Sequence, residues 1–326
     1  MRSGRAAATS GSLRPHRRWL SVAPAVALAL FLASPAGTLG ASHPRCFGAA
    51  SRDPLHRCDN AALDTAVTPT PNQALLIPSA PCTPIPSSFV CSFGVSRTKA
   101  SATIALLGDS HADHWRAGLW PVAQALDWYG ISVTHPSCPY SLAELVPSNP
   151  SQQACIAWND AVIQWFAQNP QVTTVFVSDH PGAVERAPGQ SEEAALVAGI
   201  EAAWAKLPAT VKHIVVIRDV PFIEQDTLQC VSSALARHLD AGTTCAFPRS
   251  RGLHQDPDVL AAEQLHSPRV QVIDLTQFFC GSRRCYPVIG GVLVYKDYFD
   301  HLTYEYATTL GPYLLRAVRG LMKSWH

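Results

Sequence analysis

From Ser101 onward the chain alternates between short apolar runs and longer stretches of helical periodicity. Ile104-Ala105-Leu106-Leu107 is a continuous apolar run, the pattern of a parallel strand buried on both faces. Trp115, Leu119, Ala123 and Leu126 then recur on one helical face, with Pro121 placed to kink that helix. The same reading predicts strands at 131–134, 172–178, 213–217 and 270–275. Helices are predicted at 156–168, 192–207, 225–239, 258–266 and 304–323. Strands and helices in alternation with short connections predict an α/β fold, a three-layer α/β/α sandwich around a mainly parallel sheet. The tryptophans at 115, 120, 128, 158 and 165 fall at core spacing. Residues 42–100 lack this periodicity and form a Cys/Pro-rich lead-in expected to pack on the core.

The N-terminus follows a different pattern. Residues 1–18 carry Arg2, Arg5, Arg14, Arg17 and Arg18 and no acid. An apolar run from Trp19 to Ala33 and a small-residue stretch from Ser34 to Ala41 follow. This is the layout of an export signal, with cleavage expected after Ala36 or Ala41; an uncleaved signal anchor is the alternative. The run is short for a membrane span and is interrupted by Pro24. The sequence thus divides into 1–41, the lead-in at 42–100 and the α/β domain at 101–326. The expected location is exported: periplasmic, extracellular or tethered to the outer face of the cytoplasmic membrane.

Composition narrows the classes. With 326 residues, 47% of them hydrophobic, the chain can bury a substantial core. Lys plus Arg number 25 and Asp plus Glu 24, a net charge of +1. Removing five of the 25 basic residues and none of the acidic ones with the signal leaves −4. No basic field for a nucleic acid exists. The ten cysteines fall as neighbours: Cys46 and Cys58, Cys82 and Cys91, Cys138 and Cys155, Cys230 and Cys245, Cys280 and Cys285. In an exported protein the simplest connectivity is five sequential disulfides. Zinc-type spacing in fours is absent from the sequence.

The candidate chemistry begins at Gly108-Asp109-Ser110-His111, after the first buried strand and at the start of the first helix. The carboxyl ends of parallel strands form binding crevices, and a helix N-terminus offers N–H groups to an oxyanion. Ser110 needs a base to become a nucleophile. Of 13 histidines, His301 stands out before the last helix, with Asp297 and Asp300 close by. Asp109 can fix the turn by accepting backbone N–H bonds. Arg218 and Asp219 read as a buried ion pair. His111 and His114 could form a metal pair with Asp109 or Asp113, but the sequence gives no third distant ligand. No metal and no cofactor is therefore expected.

The ordered motifs resemble the SGNH hydrolase superfamily, and more narrowly the SGNH domains fused to acyltransferase-3 membrane proteins. The resemblance rests on Gly108-Asp109-Ser110-His111 and on His301-Leu302-Thr303 after Asp297. Cys46-Phe47-Gly48-Ala49-Ala50, Ser137-Cys138-Pro139 and Arg218-Asp219-Val220-Pro221 before Cys230 extend it across about residues 42–320. It implies a flavodoxin-like sheet, Ser110 as nucleophile, His301 as base and the Ser110 backbone N–H as an oxyanion donor. Three positions depart from the family pattern. Its Asp, three residues before the His, is Tyr298 here, which leaves Asp297 as the preferred acid, Asp300 as the alternative, or a Ser–His dyad. No oxyanion glycine stands near Ser137. No oxyanion asparagine follows Val175-Phe176-Val177, where Ser178, Asp179 and His180 stand.

The resemblance implies O-acylation, most simply O-acetylation, of a cell-envelope polysaccharide through a Ser110 acyl-enzyme. The partner is then a separate membrane acyltransferase that supplies the acyl group. An exported carbohydrate esterase uses the same residues with water as acceptor. A non-catalytic glycan-binding accessory is the third reading.

Overall fold

The computed structural model describes residues 43–80, 82–84, 90–144, 150–180 and 188–325. The expected signal at 1–41 lies outside them. In chain order the strands are β1 (Thr83–Pro84), β2 (Val90–Gly94), β3 (Ala102–Gly108), β4 (Trp128–Thr134), β5 (Val172–Ser178), β6 (His213–Ile217), β7 (Phe247–Pro248), β8 (Val270–Ile273), β9 (Arg284–Cys285), β10 (Val288–Ile289) and β11 (Val292–Leu293). The helices are α1 (Pro71–Ala74), α2 (Ser110–Ala125), α3 (Pro150–Gln168), α4 (Glu192–Lys206), α5 (Thr227–Ala236), α6 (Ala241–Thr244), α7 (Arg249–Gly252), α8 (Pro257–Leu265) and α9 (Tyr304–Met322).

Seven strands form one sheet in the order β1-β2-β4-β3-β5-β6-β8. From β4 to β8 every neighbouring pair is parallel. β2 joins β4 antiparallel and β1 extends that edge, also antiparallel. The two-residue period of a strand sends alternate side chains to opposite faces. On β3, Ile104 and Leu106 face one layer, with Trp115 and Leu119 of α2, Leu228 of α5 and Leu310 of α9. Ala105 and Leu107 face the other, with Val162 of α3, Ile200 of α4 and Val259 of α8. This explains the continuous apolar runs: both faces are covered. The fold is α/β, a mainly parallel sheet between two helical layers.

Each predicted strand from 104 onward lies in the sheet. β2 is an addition: it arises inside the lead-in, where Cys and Pro mask its apolar alternation. The first part of the lead-in rests on α9. The Ala49 N–H donates to Thr309 Oγ1 at 3.1 Å, and Arg316 pairs with Asp53 at 2.9 Å. The five disulfides are Cys46–Cys58, Cys82–Cys91, Cys138–Cys155, Cys230–Cys245 and Cys280–Cys285. Among the described residues, no helix is long and apolar enough to cross a membrane.

Candidate active site

The site assembles at the carboxyl ends of β3, β5 and β6. Gly108 ends β3 with φ +133°, a region reserved for glycine. A Cβ there would stand 2.3 Å from the Ser178 carbonyl oxygen. The chain can therefore turn tightly into α2 beside β5. Asp109 caps α2: its carboxylate accepts from the His111 N–H at 2.7 Å and from the His180 N–H at 3.1 Å. The expected turn-fixing role of Asp109 is what the geometry displays. Ser110 is the first residue of α2 and is half-buried. Its own N–H sits among the groups that a helix start leaves without a helical partner, at the positive end of the helix dipole.

The loop before α9 carries His301. The Lys296 N–H donates to the His301 carbonyl at 2.7 Å, and Tyr295 bridges Leu302 antiparallel. The loop so closed brings Asp297 to His301. The imidazole Nδ1 meets both carboxylate oxygens, at 2.9 and 3.0 Å. The Phe299 N–H also donates to Asp297, at 3.0 Å. Burial opposes the Asp297 charge, but the hydrogen bond and charge of His301 outweigh it and hold this carboxyl below its ordinary value. His301 Nε2 is buried and makes no hydrogen bond among the described residues. The His301 ring lies 5.2 Å, centre to centre, from that of His111, the residue after Ser110. Asp300 turns elsewhere: it accepts from the Ile223 N–H at 2.6 Å, with its backbone in the left-handed region at φ +64°. Tyr298 is exposed.

Beneath these groups lies a set of buried acids from the β5 and β6 exits and from the start of α8. The Asp179 carboxylate accepts from the N–H groups of Asp109 and Tyr140, at 3.0 and 3.1 Å. Asp258 accepts from the Asp179 N–H, and Asp256 from the Asp219 N–H. Burial, together with the neighbouring carboxylates, pushes Asp179 and Asp258 well up. Burial also raises Asp109, Asp256 and Asp300 to about 6. His111 is the buried counter-charge. Burial disfavours its cation, but Asp219 at 2.7 Å and the nearby Asp109 prevail and raise it to about 9. Burial pushes His114 well down, so it is neutral, and its Nδ1 accepts from the Leu302 N–H at 3.4 Å.

The sequence pattern pairs Asp219 with its neighbour Arg218. Arg218 instead pairs with Asp274 at 3.0 Å, and Asp219 with His111. The mutual support of Asp109, Asp179, Asp219, Asp256 and Asp258 has no local sequence signature. Its only signal is an Asp just past strands β3, β5 and β6 (Asp109, Asp179, Asp219). At the β5 exit the ring of His180 lies 4.7 Å from that of His111 and stacks on Phe222. The place of an oxyanion asparagine is thus filled by acids that organise the backbone.

A cation could be held only by His111, His114 and Asp219 among the described residues, whose ligand atoms lie within 4.8 Å of one another. The fit is poor. Both nitrogens of His111 and one of His114 already make hydrogen bonds. Asp109 is committed to backbone N–H groups and Asp113 to Arg116. His114 Nε2 and Asp219 Oδ2 remain, fewer than the three protein ligands of a catalytic zinc site.

The model of the SGNH domain fused to AT3 domains matches residues 81–316. No curated protein matches. Among solved structures, the chain is similar to the periplasmic domain of a lipopolysaccharide acetyltransferase from Salmonella ser. Paratyphi A. That likeness has a TM-score of 0.52 and 16% identity over 70% of this chain and 90% of that one, and it supports the fold. A serine at the exit of β3, a histidine before the last helix and a family match over most of the length converge: the chain belongs to the family of SGNH domains that occur fused to AT3 domains.

Proposed function

We propose that this protein is an exported serine enzyme that moves a short acyl group, most simply acetyl, onto a hydroxyl of an envelope polysaccharide. The observation that carries the reading is His301: Asp297 holds its Nδ1, and its Nε2 is left unengaged. That is the orientation a general base needs, with the proton on Nδ1 and the lone pair on Nε2. In this reading His301 takes the Ser110 hydroxyl proton as Oγ attacks the donor carbonyl. The tetrahedral oxyanion forms at the start of α2, where the Ser110 N–H faces it. The leaving group departs with the proton from His301, and Ser110 carries the ester. A sugar hydroxyl, deprotonated by the same imidazole, then takes the acyl group and frees Ser110.

Family membership and the acetyltransferase likeness favour a glycan acceptor over water. The proposed supplier of the acyl group is a separate membrane acyltransferase. An esterase differs only in the acceptor. The test is p-nitrophenyl acetate turnover with and without a polysaccharide acceptor, for wild type and Ser110→Ala. The proposal expects acceptor-dependent release of p-nitrophenol, an acylated glycan, and loss of both in Ser110→Ala. Turnover indifferent to acceptor and yielding no acylated glycan favours the esterase. Turnover that survives Ser110→Ala removes the nucleophile.

A further inference from the structure

His111 is not needed for the acyl-transfer steps above, yet it sits at their centre, nearly inaccessible to solvent. Its two ring nitrogens face two acceptors. Nδ1 meets Asp219 Oδ1 at 2.7 Å, and Nε2 meets the Phe299 carbonyl oxygen at 2.9 Å. A carboxylate and a carbonyl both accept, so both nitrogens must carry hydrogen. The geometry itself describes an imidazolium. One helical turn on, His114 accepts from the Leu302 N–H. Residues three apart share a helix face, so α2 grips the base loop on both sides of His301, at Phe299 and at Leu302.

We propose that His111 is a positioning residue: as a cation it clamps the loop carrying Asp297 and His301 onto the start of the serine helix, by donating to Asp219 and Phe299 together. The proposal rests on the serine–histidine reading above. It explains why a histidine follows Ser110 directly. There it can reach the β6 exit and the base loop at once. It also gives the charge a function. If His111 loses a proton, Asp219, the stronger acceptor, keeps the remaining one on Nδ1. Nε2 then presents a lone pair to the Phe299 carbonyl, and the clamp opens.

The charged and titratable groups facing His111 are Asp109 at the N-cap of α2, His114 on α2, Asp219 past β6, His180 past β5, and Asp300 and His301 on the loop. Three of the six are acids, of which Asp219 and Asp109 favour the His111 cation most, and its proton is lost only near pH 9.

The test pairs kinetics with NMR. Acetyl-ester turnover is followed from about pH 6 to 10, with non-enzymatic hydrolysis subtracted, for wild type, His111→Ala and Asp219→Asn. The wild type should lose kcat, not KM, on an alkaline limb near 9. His111→Ala should lower kcat about 10- to 100-fold below pH 9, the range of supporting residues that orient a reacting group, and should lack the alkaline limb. In Asp219→Asn the amide can donate to Nδ1, so a neutral His111 keeps its Nε2–H on Phe299, and the alkaline limb should vanish. Nitrogen-15 NMR of wild-type His111, assigned through its own backbone, should show both ring N–H groups at about pH 8. A neutral His111 at that pH, or wild-type pH profiles in both variants, overturns the clamp whether or not His111→Ala folds well. A wild type without any turnover overturns the catalytic reading instead and leaves the clamp to the NMR result.

Discussion

Asp297→Asn is the sharpest perturbation of the proposed site, because the geometry dictates how it fails. In the wild type the carboxylate accepts from His301 Nδ1 and from the Phe299 N–H. An asparagine keeps an oxygen for Phe299, so the loop should still close. Its amide, however, can donate to Nδ1 and so stabilise the tautomer with the proton on Nε2. That tautomer cannot take the serine proton. In a fully buried triad the change costs about 10⁴ in kcat. Here His301 and Asp297 are 20% and 21% exposed, so water can replace part of the lost interaction. The expected loss is about 10²–10⁴ in kcat, or about 3–5 kcal/mol of barrier, with little change in KM. Asp300→Asn keeps the oxygen that accepts from Ile223 and should leave kcat within a few-fold. The assay is p-nitrophenyl acetate turnover on variants shown by thermal melting to be folded. Wild-type kcat in Asp297→Asn, together with loss of kcat in Asp300→Asn, would refute the assignment of the acid.

Three further expectations concern the frame of the site. Gly108→Ala should destabilise the protein by about 2–6 kcal/mol, since a positive φ is strained and the Ser178 carbonyl cannot rotate aside; an unchanged denaturant midpoint would contradict the turn described. Stability should fall as pH rises from about 5 to 9. Asp109, Asp256 and Asp300 hold protons in the folded state up to about 6 but only to 3.8 unfolded. The contribution of His111 is fully present below 6.5 and lost as pH rises through about 9, so the two effects add; a melting temperature higher at pH 9 than at pH 5 would oppose this. Replacing Cys138 and Cys155 together by Ser opens a bridge of sequence separation 17 and should cost about 3 kcal/mol in chemical denaturation, and non-reducing peptide mapping should recover that bridge among five local ones.

The parallel core was legible because strands buried on both faces are written as unbroken apolar runs, as at Leu106-Leu107 and Val175-Phe176-Val177. β2 was not, because its five residues interrupt a Cys/Pro-rich stretch and gain their meaning only from pairing with β4. Ser110, His301 and Asp297 stand out as candidates because each sits in a local motif beside a strand or helix end, and the structure brings Asp297 to His301. The pairing of Asp219 with His111 spans 108 positions, and that of Asp179 with Asp109 spans 70. Such contacts follow from strand order, not from spacing. Reading Arg218 with Asp219 failed for the same reason: neighbours on an extended strand exit point apart, and each found a partner from another element.

If Ser110 carries the acyl group, the acyl-enzyme can be trapped. The protein is mixed with p-nitrophenyl acetate, quenched in acid within the first turnover, and analysed by intact mass and peptide mapping. One added acetyl group is expected on the peptide containing Ser110, absent from Ser110→Ala. Full ester turnover without acyl-Ser110, undiminished in Ser110→Ala, would contradict a Ser110 acyl-enzyme.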